Sequence, residues 1–383
     1  MKVRVVTVGR SDYGIYQPLL KALHKDPEID LGLYVSGMHL SPEHGYTVRF
    51  VEADGYTIVE RIEMLLANDS ADAVAKSMGL GMMGFAQSFA REKPDWLVVL
   101  GDRFETFAAA AASVPFKIPL AHLHGGEATF GAIDEAFRHS ISKMAHLHFA
   151  ATEAYGRRLV QMGEEPWRVH VTGALALDNI RTLEPMSRQE LETTFGIDLG
   201  EPPLLVTFHP VTLQIEHAQA HIDALFAALQ DSGLPVIFTL ANADTGGRMI
   251  NARIQEAVAE RPNFRLVENF RMRGYFSVLP YVRAMVGNTS SGILEAGAFG
   301  LPVVNIGDRQ AGRIRGENVL DVAPEREAIA EAIRLAVSPE FRAIAAAANH
   351  PYGGGGAAEK MVSAIKATQI DERLLEKRFY DLS

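Results

Sequence analysis

The stretch from His122 to Lys143, HLHGGEATFGAIDEAFRHSISK, gathers His124, Glu127, Asp134 and Glu135 beside Arg138, His139 and a glycine pair. Residues of these types serve three chemistries. His-x-His near carboxylates is a spelling for zinc or iron ligands. Two carboxylic acids near an imidazole can trade protons as general acid and base. Acidic residues opening a helix are also an ordinary complement to its dipole. Asp134 and Arg138, and Glu135 and His139, are each four apart, the spacing of surface ion pairs on one helical face. Ile133, Phe137 and Ile141 are expected to form the buried stripe beside them. A metallohydrolase would need ligands from further strands, so no metal centre is expected.

Other polar clusters follow apolar runs in the same way. VVLGDRFET ends a run with Asp102 and Arg103. A carboxylate at a buried strand's tip can be a general base with a tuned pKa, or simply a turn residue capping the next helix. VTFHPVT places His209 at a run's end, and GRSDYG places Arg10 and Asp12 after the first run. Arg10 suits bidentate phosphate contacts, whereas a lone His before Pro is more often structural. In VGNTSSGILEAGAFG, Ser290 and Ser291 begin a helix whose free N–H groups and dipole suit a phosphate, with Gly292 allowing close approach. The plainer reading is a Ser N-cap with Glu295 closing a capping box, although Glu295 could equally grip ribose hydroxyls. GDRQAGRIRGEN adds Arg309, Arg313 and Arg315, and ANADTGG adds Asn242 and Asp244. Neither G-x-G-x-x-G nor G-x-x-x-x-G-K-[ST] occurs in these positions, which disfavours a dinucleotide cofactor or P-loop chemistry.

Elements must hold these groups in place. Thirteen short apolar runs (3–8, 31–36, 57–62, 96–101, 118–123, 147–152, 169–173, 204–208, 235–240, 264–269, 284–288, 302–307 and 318–322) alternate with helix-length segments. Runs without strict alternation read as parallel strands buried on both faces. The fold class expected is α/β, with two doubly wound Rossmann-like domains: residues 1–181, then 182–356 after a polar, Pro-bearing hinge at 182–203 that carries a short helix. A helix from 357 to 383 is expected to pack back on the first domain. Ligands of such sheets bind beyond the carboxyl ends of the strands, where all these clusters fall, so a single interdomain cleft is expected. The 383 residues carry a net charge of −10, which argues against nucleic acid as a partner. No cysteine is present, which excludes disulfides and thiolate chemistry. No run approaches a membrane span, and MKVRVVTVGR reads as a strand rather than a leader, so a cytoplasmic protein is expected.

Taken in order, GRSDYG, GDRFET, HLHGGEATFGAIDEAFRHSISKMAHLHF, HPVT, GNTSSGILEAGAFGLPVVNIGDRQAGR and RGENVL closely resemble the hydrolysing UDP-N-acetylglucosamine 2-epimerases of sialic acid biosynthesis. They also look like near relatives that act on UDP-2,4-diacetamido-trideoxyhexoses in legionaminic acid pathways. The reaction expected first is conversion of UDP-N-acetylglucosamine and water to N-acetylmannosamine and UDP, with the diacetamido sugar as the alternative substrate. The resemblance implies the two-domain GT-B arrangement, no cofactor, a UDP-sugar as partner and a homodimer or homotetramer. It implies that UDP is held by the second domain, with its diphosphate on Ser290 and Ser291 and its ribose near Glu295, and with Arg10, His209, Asn242 and Arg313 as further contacts. Asp102 and Asp134 match positions given acid–base roles, and Glu127 is retained. At position 124 some members carry Glu where this chain has His124, which bears on the catalytic group and on the sugar's substituents. Asp12, Arg103, Gly292 and Asp244 complete the expected substrate-binding set, and His209 stands with Asp102, His124, Glu127 and Asp134 as a catalytic candidate. A glycosyltransferase of the same fold is the alternative.

Overall fold

Val, Ile and Leu dominate the short runs, and β-branched residues fit a pleated surface covered on both sides. In the computed structural model, which describes residues 1–67, 70–128, 130, 133–209, 216–240 and 247–382, each of the thirteen runs contains a strand. The chain divides into two compact units, 1–181 with 352–383, and 182–351.

The first unit holds β1 (Lys2–Thr7), β2 (Asp30–Ser36), β3 (Ile58–Ile62), β4 (Trp96–Leu100), β5 (Leu120–Leu123), β6 (Leu147–Ala150) and β7 (Val169–Val171). They form one parallel sheet in the order β3-β2-β1-β4-β5-β6-β7. Val3 is opposite Leu31 on one side and Trp96 on the other. Side chains alternate between faces along a strand, and β4 shows the result. Trp96 and Val98 join the core under helix Arg10–Lys25, whereas Leu97 and Val99 join the one under helices Ala71–Arg91 and Phe104–Ser113.

The C-terminal segment belongs to this unit. Met361, Val362 and Ile365 of helix Ala357–Ala367 share a core with Tyr16, Leu19 and Leu23. The return starts before that helix: Tyr352 is buried, its carbonyl accepts from the Ala174 N–H at 2.9 Å, and its hydroxyl meets that of Tyr155 at 3.1 Å. Asp178 accepts from the N–H groups of Ala357 (3.1 Å) and Ala358 (2.7 Å), meeting the unpaired donors at the helix start. Buried Arg168 donates to the carbonyls of Arg373 and Leu374 at 3.0 and 2.9 Å, as a cation at a helix C-terminus should. Glu164, fully buried, takes His148 (2.8 Å), Lys143 (2.7 Å) and Lys377 (2.7 Å).

The second unit repeats the plan with β8 (Leu204–Thr207), β9 (Val236–Thr239), β10 (Phe264–Leu266), β11 (Ala284–Gly287), β12 (Val303–Ile306) and β13 (Val319–Val322), all parallel, in the order β10-β9-β8-β11-β12-β13. Leu204, Val206 and Val286 pack against Ile222, Leu225 and Leu229 of helix Ala218–Ser232 and against Ile329 and Ile333 of helix Arg326–Ala336. The hinge carries the expected short helix, Arg188–Phe195, opened by a Ser187/Glu190 capping box. Among the described residues, no helix is long and apolar enough to cross a membrane.

Candidate active site

Each sheet reverses its strand order once, at β1/β4 and at β8/β11. In doubly wound sheets a ligand crevice opens outside the carboxyl ends at such points. In both units the polar clusters gather there.

In the first unit the loop after β1 closes on itself. Asp12 accepts from the N–H groups of Val8 (2.9 Å) and Gly9 (2.7 Å) and from the Thr7 hydroxyl (2.8 Å). Burial, opposed by those three donors, pushes its carboxyl up to about 6. The structure thus places the Asp12 carboxylate inside its own turn. The Thr7 hydroxyl also meets the buried His39 ring at 2.9 Å. Arg10, next to this turn, is exposed, with its guanidinium 5.8 Å from the Phe50 ring centre.

Beyond β4, Gly101 is pinned from both sides: its N–H donates to Leu123 and its carbonyl accepts from His122 Nε2 at 2.7 Å. Burial holds the His122 ring down at about 3, so the ring is neutral and its Nδ1 accepts from Ser142. This presents Asp102. Its carboxylate is paired with Arg138, with side-chain exposures of 20% and 6%. Burial raises the Asp102 carboxyl; Arg138 opposes this, and the nearby carboxylates of Asp134 and Glu127 reinforce it. Arg103 pairs with buried Glu105 at 3.0 Å and carries its charge close to Asp12 and Asp134.

Beyond β5 the chain turns sharply. His124 has φ 63°, and Gly126 has φ 77° with no room for a Cβ, which would lie 2.4 Å from the Tyr155 carbonyl. The turn brings Glu127 back under His124, whose Nδ1 donates to the buried carboxylate at 2.6 Å. His124 Nε2 is buried and meets no partner among the described residues. Arg138 also reaches Glu127 (3.6 Å) and the His124 carbonyl (3.3 Å). Asp134, the first residue of helix Asp134–Met144, is half-buried and adds its charge to Asp102 and Arg103.

Two expectations for this helix are corrected. Ile133 is 67% exposed and lies outside it; the inward face is Arg138, Ile141 and Ser142, one step round from the expected stripe. Arg138, spaced for a surface pair with Asp134, is buried and bridges two other strand-end loops. The two His of HLH diverge, and among the described residues no three His, Asp or Glu side chains are grouped as metal ligands. Beside Arg103, Phe104 and Glu105 opens a recess of about 900 Å³ whose wall includes Met38, Met64 and Leu66.

In the second unit the ends of β8 and β11 are tied by Asn288. The His209 N–H donates to its Oδ1 at 2.7 Å, and its Nδ2 donates to the His209 carbonyl at 2.8 Å. Gln310 and Arg309 both donate to the Asn288 carbonyl, and His209 itself is buried. The next helix is short, Ser290–Leu294, and Thr289 rather than a serine is its N-cap; Glu295 sits at its far end, so no capping box forms. The Tyr275 hydroxyl donates to Ser291 Oγ at 2.6 Å. Burial pushes the Glu295 carboxyl up, opposed by the nearby Ser291 hydroxyl and the charge of Arg313. At Gly292 a Cβ would meet Val303 Cγ1 at 2.9 Å. Its missing side chain therefore faces the sheet and permits close helix packing. Arg315 turns to Asp321 at 3.0 Å and to the Gln310 carbonyl. Asn242, Asp244 and the PVT of HPVT lie outside the described residues. Arg138, Asn288 and Tyr275 were not foreseen as site residues; for Asn288 the signal was there, a polar side chain directly after an apolar run.

Two Rossmann-like units with their polar groups at the switch points define a GT-B-like α/β protein. Solved structures share this fold: the Neisseria meningitidis UDP-GlcNAc 2-epimerase bound to UDP-GlcNAc (TM-score 0.81, 20% identity, 96% of this chain and 100% of that one) and a putative UDP-N-acetylglucosamine 2-epimerase from Listeria monocytogenes (TM-score 0.77, 22% identity, 96% of each chain). The profile of the UDP-N-acetylglucosamine 2-epimerase family matches residues 21–366. The chain belongs to that family and is an epimerase. It is 36% identical to a hydrolysing UDP-N,N'-diacetylbacillosamine 2-epimerase of Legionella pneumophila (98% of each chain). It is 37% identical to a Campylobacter jejuni GDP/UDP-N,N'-diacetylbacillosamine 2-epimerase (100% and 99%) and 35% identical to the Escherichia coli polysialic acid biosynthesis protein P7 (100% and 97%).

Proposed function

We propose that this epimerase is hydrolysing: it converts a UDP-linked 2-acetamido sugar and water into UDP and the free C2-epimeric sugar. The observation that carries this reading is the constellation at the β4 and β5 ends, where a His124–Glu127 pair and an Asp102–Arg138 pair lie beside Asp134. The C2 proton of such a sugar is weakly acidic, so one group must remove it while the C1–O bond breaks and UDP leaves. A water then adds its oxygen to C1 of the resulting 2-acetamidoglucal while C2 receives a proton on the opposite face. Two acid–base groups, one per face, are the minimum.

With Nδ1–H committed to Glu127, the imidazole of His124 is proposed to take a proton on the Nε2 lone pair, with Glu127 steadying the imidazolium that forms. Asp102, raised by burial, and Asp134 are the carboxyl groups proposed to trade protons with the sugar. In the second unit, Ser290 and Arg313 are proposed to hold the diphosphate and Glu295 the ribose, with Arg10, Arg103 and His209 as further contacts. Cations on the leaving diphosphate lower the cost of the charge that develops there. Ser291, whose Oγ accepts from Tyr275, is proposed beside Ser290 on the diphosphate.

For the sugar we favour the 2,4-diacetamido-trideoxy form over N-acetylglucosamine. Two relatives at 36 and 37% identity carry diacetylbacillosamine in their names, whereas the Neisseria meningitidis serogroup B UDP-N-acetylglucosamine 2-epimerase is 29% identical. The methionine- and leucine-bearing recess beside Arg103 suits a C6 methyl and a second acetamido group. The test is turnover of both UDP-sugars in D2O. Expected are UDP and a free 2-epimer carrying deuterium at C2, with higher kcat/KM for the diacetamido sugar. UDP still attached to the epimer, or a product without deuterium, refutes the hydrolysing reaction; a preference for UDP-N-acetylglucosamine refutes the substrate choice alone.

A further inference from the structure

Lys377, just beyond the short helix Glu372–Leu375, plays no part in the reaction proposed above, yet it grips an element that does. Its side chain is 17% exposed and its ammonium pairs with the buried Glu164 carboxylate at 2.7 Å. The same ammonium donates to the carbonyls of Lys143 (2.7 Å) and Ser142 (3.3 Å), one acceptor for each of its three protons. Those carbonyls close helix Asp134–Met144, where C=O groups lack partners within the helix and the dipole favours a cation. The backbone on both sides of Lys377 is fixed: Arg168 holds the Arg373 and Leu374 carbonyls, and the Tyr380 N–H donates to the Gly163 carbonyl at 2.9 Å. The helix in turn touches the Asp102 loop twice. Arg138 pairs with Asp102 itself. One turn further on, Ser142 Oγ donates to His122 Nδ1 at 3.1 Å, and His122 Nε2 donates to the carbonyl of Gly101, the residue before Asp102.

We infer that Lys377 is a positioning residue for the acid–base centre: by holding the C-terminal end of helix Asp134–Met144 it keeps Arg138 seated on Asp102. The inference rests on the proposed role of Asp102, acting ionised. Of the three buried residues of the helix, Arg138, Ile141 and Ser142, only Ile141 is apolar, so polar ties rather than packing fix the helix along its own axis. A slide of the helix carries Arg138 with it, because a close-packed interior transmits a displacement instead of absorbing it. Glu164, shared with Lys143 and His148, is the counter-charge that lets an ammonium sit at the helix end out of water. The buried ionic cluster and the acid–base centre are thus two ends of one helix.

The experiment measures kcat, KM and the pH profile of UDP release, with UDP affinity by calorimetry, for Glu164→Gln, Lys377→Met and the double variant. The double variant removes the carboxylate together with its ammonium, and so keeps the test open where Lys377→Met alone strands Glu164 and fails to fold. Glu164→Gln should keep kcat close to wild type, since the amine still donates to both carbonyls. Lys377→Met and the double variant should lose about tenfold in kcat, as a catalytic carboxylate displaced by less than an ångström would, with KM and UDP affinity within about twofold of wild type. Their acidic limb of kcat/KM should also move upward, because Asp102, faced by Asp134, Glu127 and Arg103 as well, loses part of its pairing with Arg138. Wild-type kcat in the folded double variant, a loss in Glu164→Gln as large as in Lys377→Met, or an acidic limb that stays in place overturns the inference. Near-normal turnover by Asp102→Asn removes instead the acid–base assignment beneath it.

Discussion

Arg138→Met replaces a buried cation by a chain of similar length. Wild-type Arg138 touches Asp102 and lies 3.6 Å from Glu127, and Asp134 adds a third negative charge to the group. At an effective dielectric constant of about 20, opposite charges about 4 Å apart attract by roughly 4 kcal/mol, or about three pKa units. The one-fifth exposure of Asp102 discounts this, so its carboxyl should rise by about 1–3 units when the guanidinium goes. Burial and the neighbouring carboxylates already push the same way. If Asp102 acts ionised, kcat/KM falls as pH drops through its pKa, and raising that pKa moves the acidic limb upward. In a coupled assay of UDP release across pH 5–9 (a range of roughly two pH units about neutrality), the limb of Arg138→Met should lie about 1–3 units above that of wild type. Arg138→Lys, which restores charge without the two-pronged reach, should bring the limb most of the way back at reduced kcat. A Met variant whose profile superimposes on wild type, or a Lys variant no better than Met, would show that Arg138 does not set the ionisation of Asp102.

Three further outcomes are expected. Asn288→Ala removes two hydrogen bonds to the buried His209 backbone and should lower stability by about 2–4 kcal/mol, read as a lower urea midpoint; an unchanged midpoint refutes the bracket. Glu164 is held at about 2 by His148 and the two lysines against its burial, compared with 4.5 ordinarily. Its contribution is therefore present above about pH 4.5 and is lost as pH falls toward 2; between pH 3 and 4.5 wild-type stability should decline with a slope of up to about 1.4 kcal/mol per unit that Glu164→Gln lacks. Parallel slopes would assign the acid sensitivity elsewhere. Leu66→Asp, on the wall of the recess, should cut kcat/KM for the diacetamido UDP-sugar about tenfold more than for UDP-N-acetylglucosamine; an equal loss on both sugars would detach the recess from specificity.

The strands were legible because parallel, doubly covered strands must be apolar along their length. The loops were legible because a polar cluster straight after such a run has few other reasons to be there. What the sequence could not supply was partner choice. Asp134 and Arg138 satisfy an i,i+4 rule, yet Arg138 is drawn inward to Asp102, thirty-six residues earlier, because a helix face is chosen by the sheet beneath it. Gly292 and Asp12 show a related ambiguity. A glycine beside a strand and an acid beside a turn can serve a ligand or the fold, and only the direction of the missing Cβ and the three donors on Asp12 decide. Tyr275 carried no signal, since its partner Ser291 lies sixteen residues away on another element.

The discontinuity of the first unit has a consequence for how the chain is made. During synthesis residues 1–181 emerge first, but the core beneath helix Arg10–Lys25 lacks Met361, Val362, Ile365 and Leu374 until the last residues appear. The second unit is continuous and has all of its strands well before that. Folding on the ribosome should therefore invert the usual N-to-C order, with residues 182–351 reaching protease resistance while the earlier half still waits for its final helix. A chain ending near residue 350 would carry the second unit whole and a first unit lacking its final helices, exposing the apolar face of Arg10–Lys25 to chaperones.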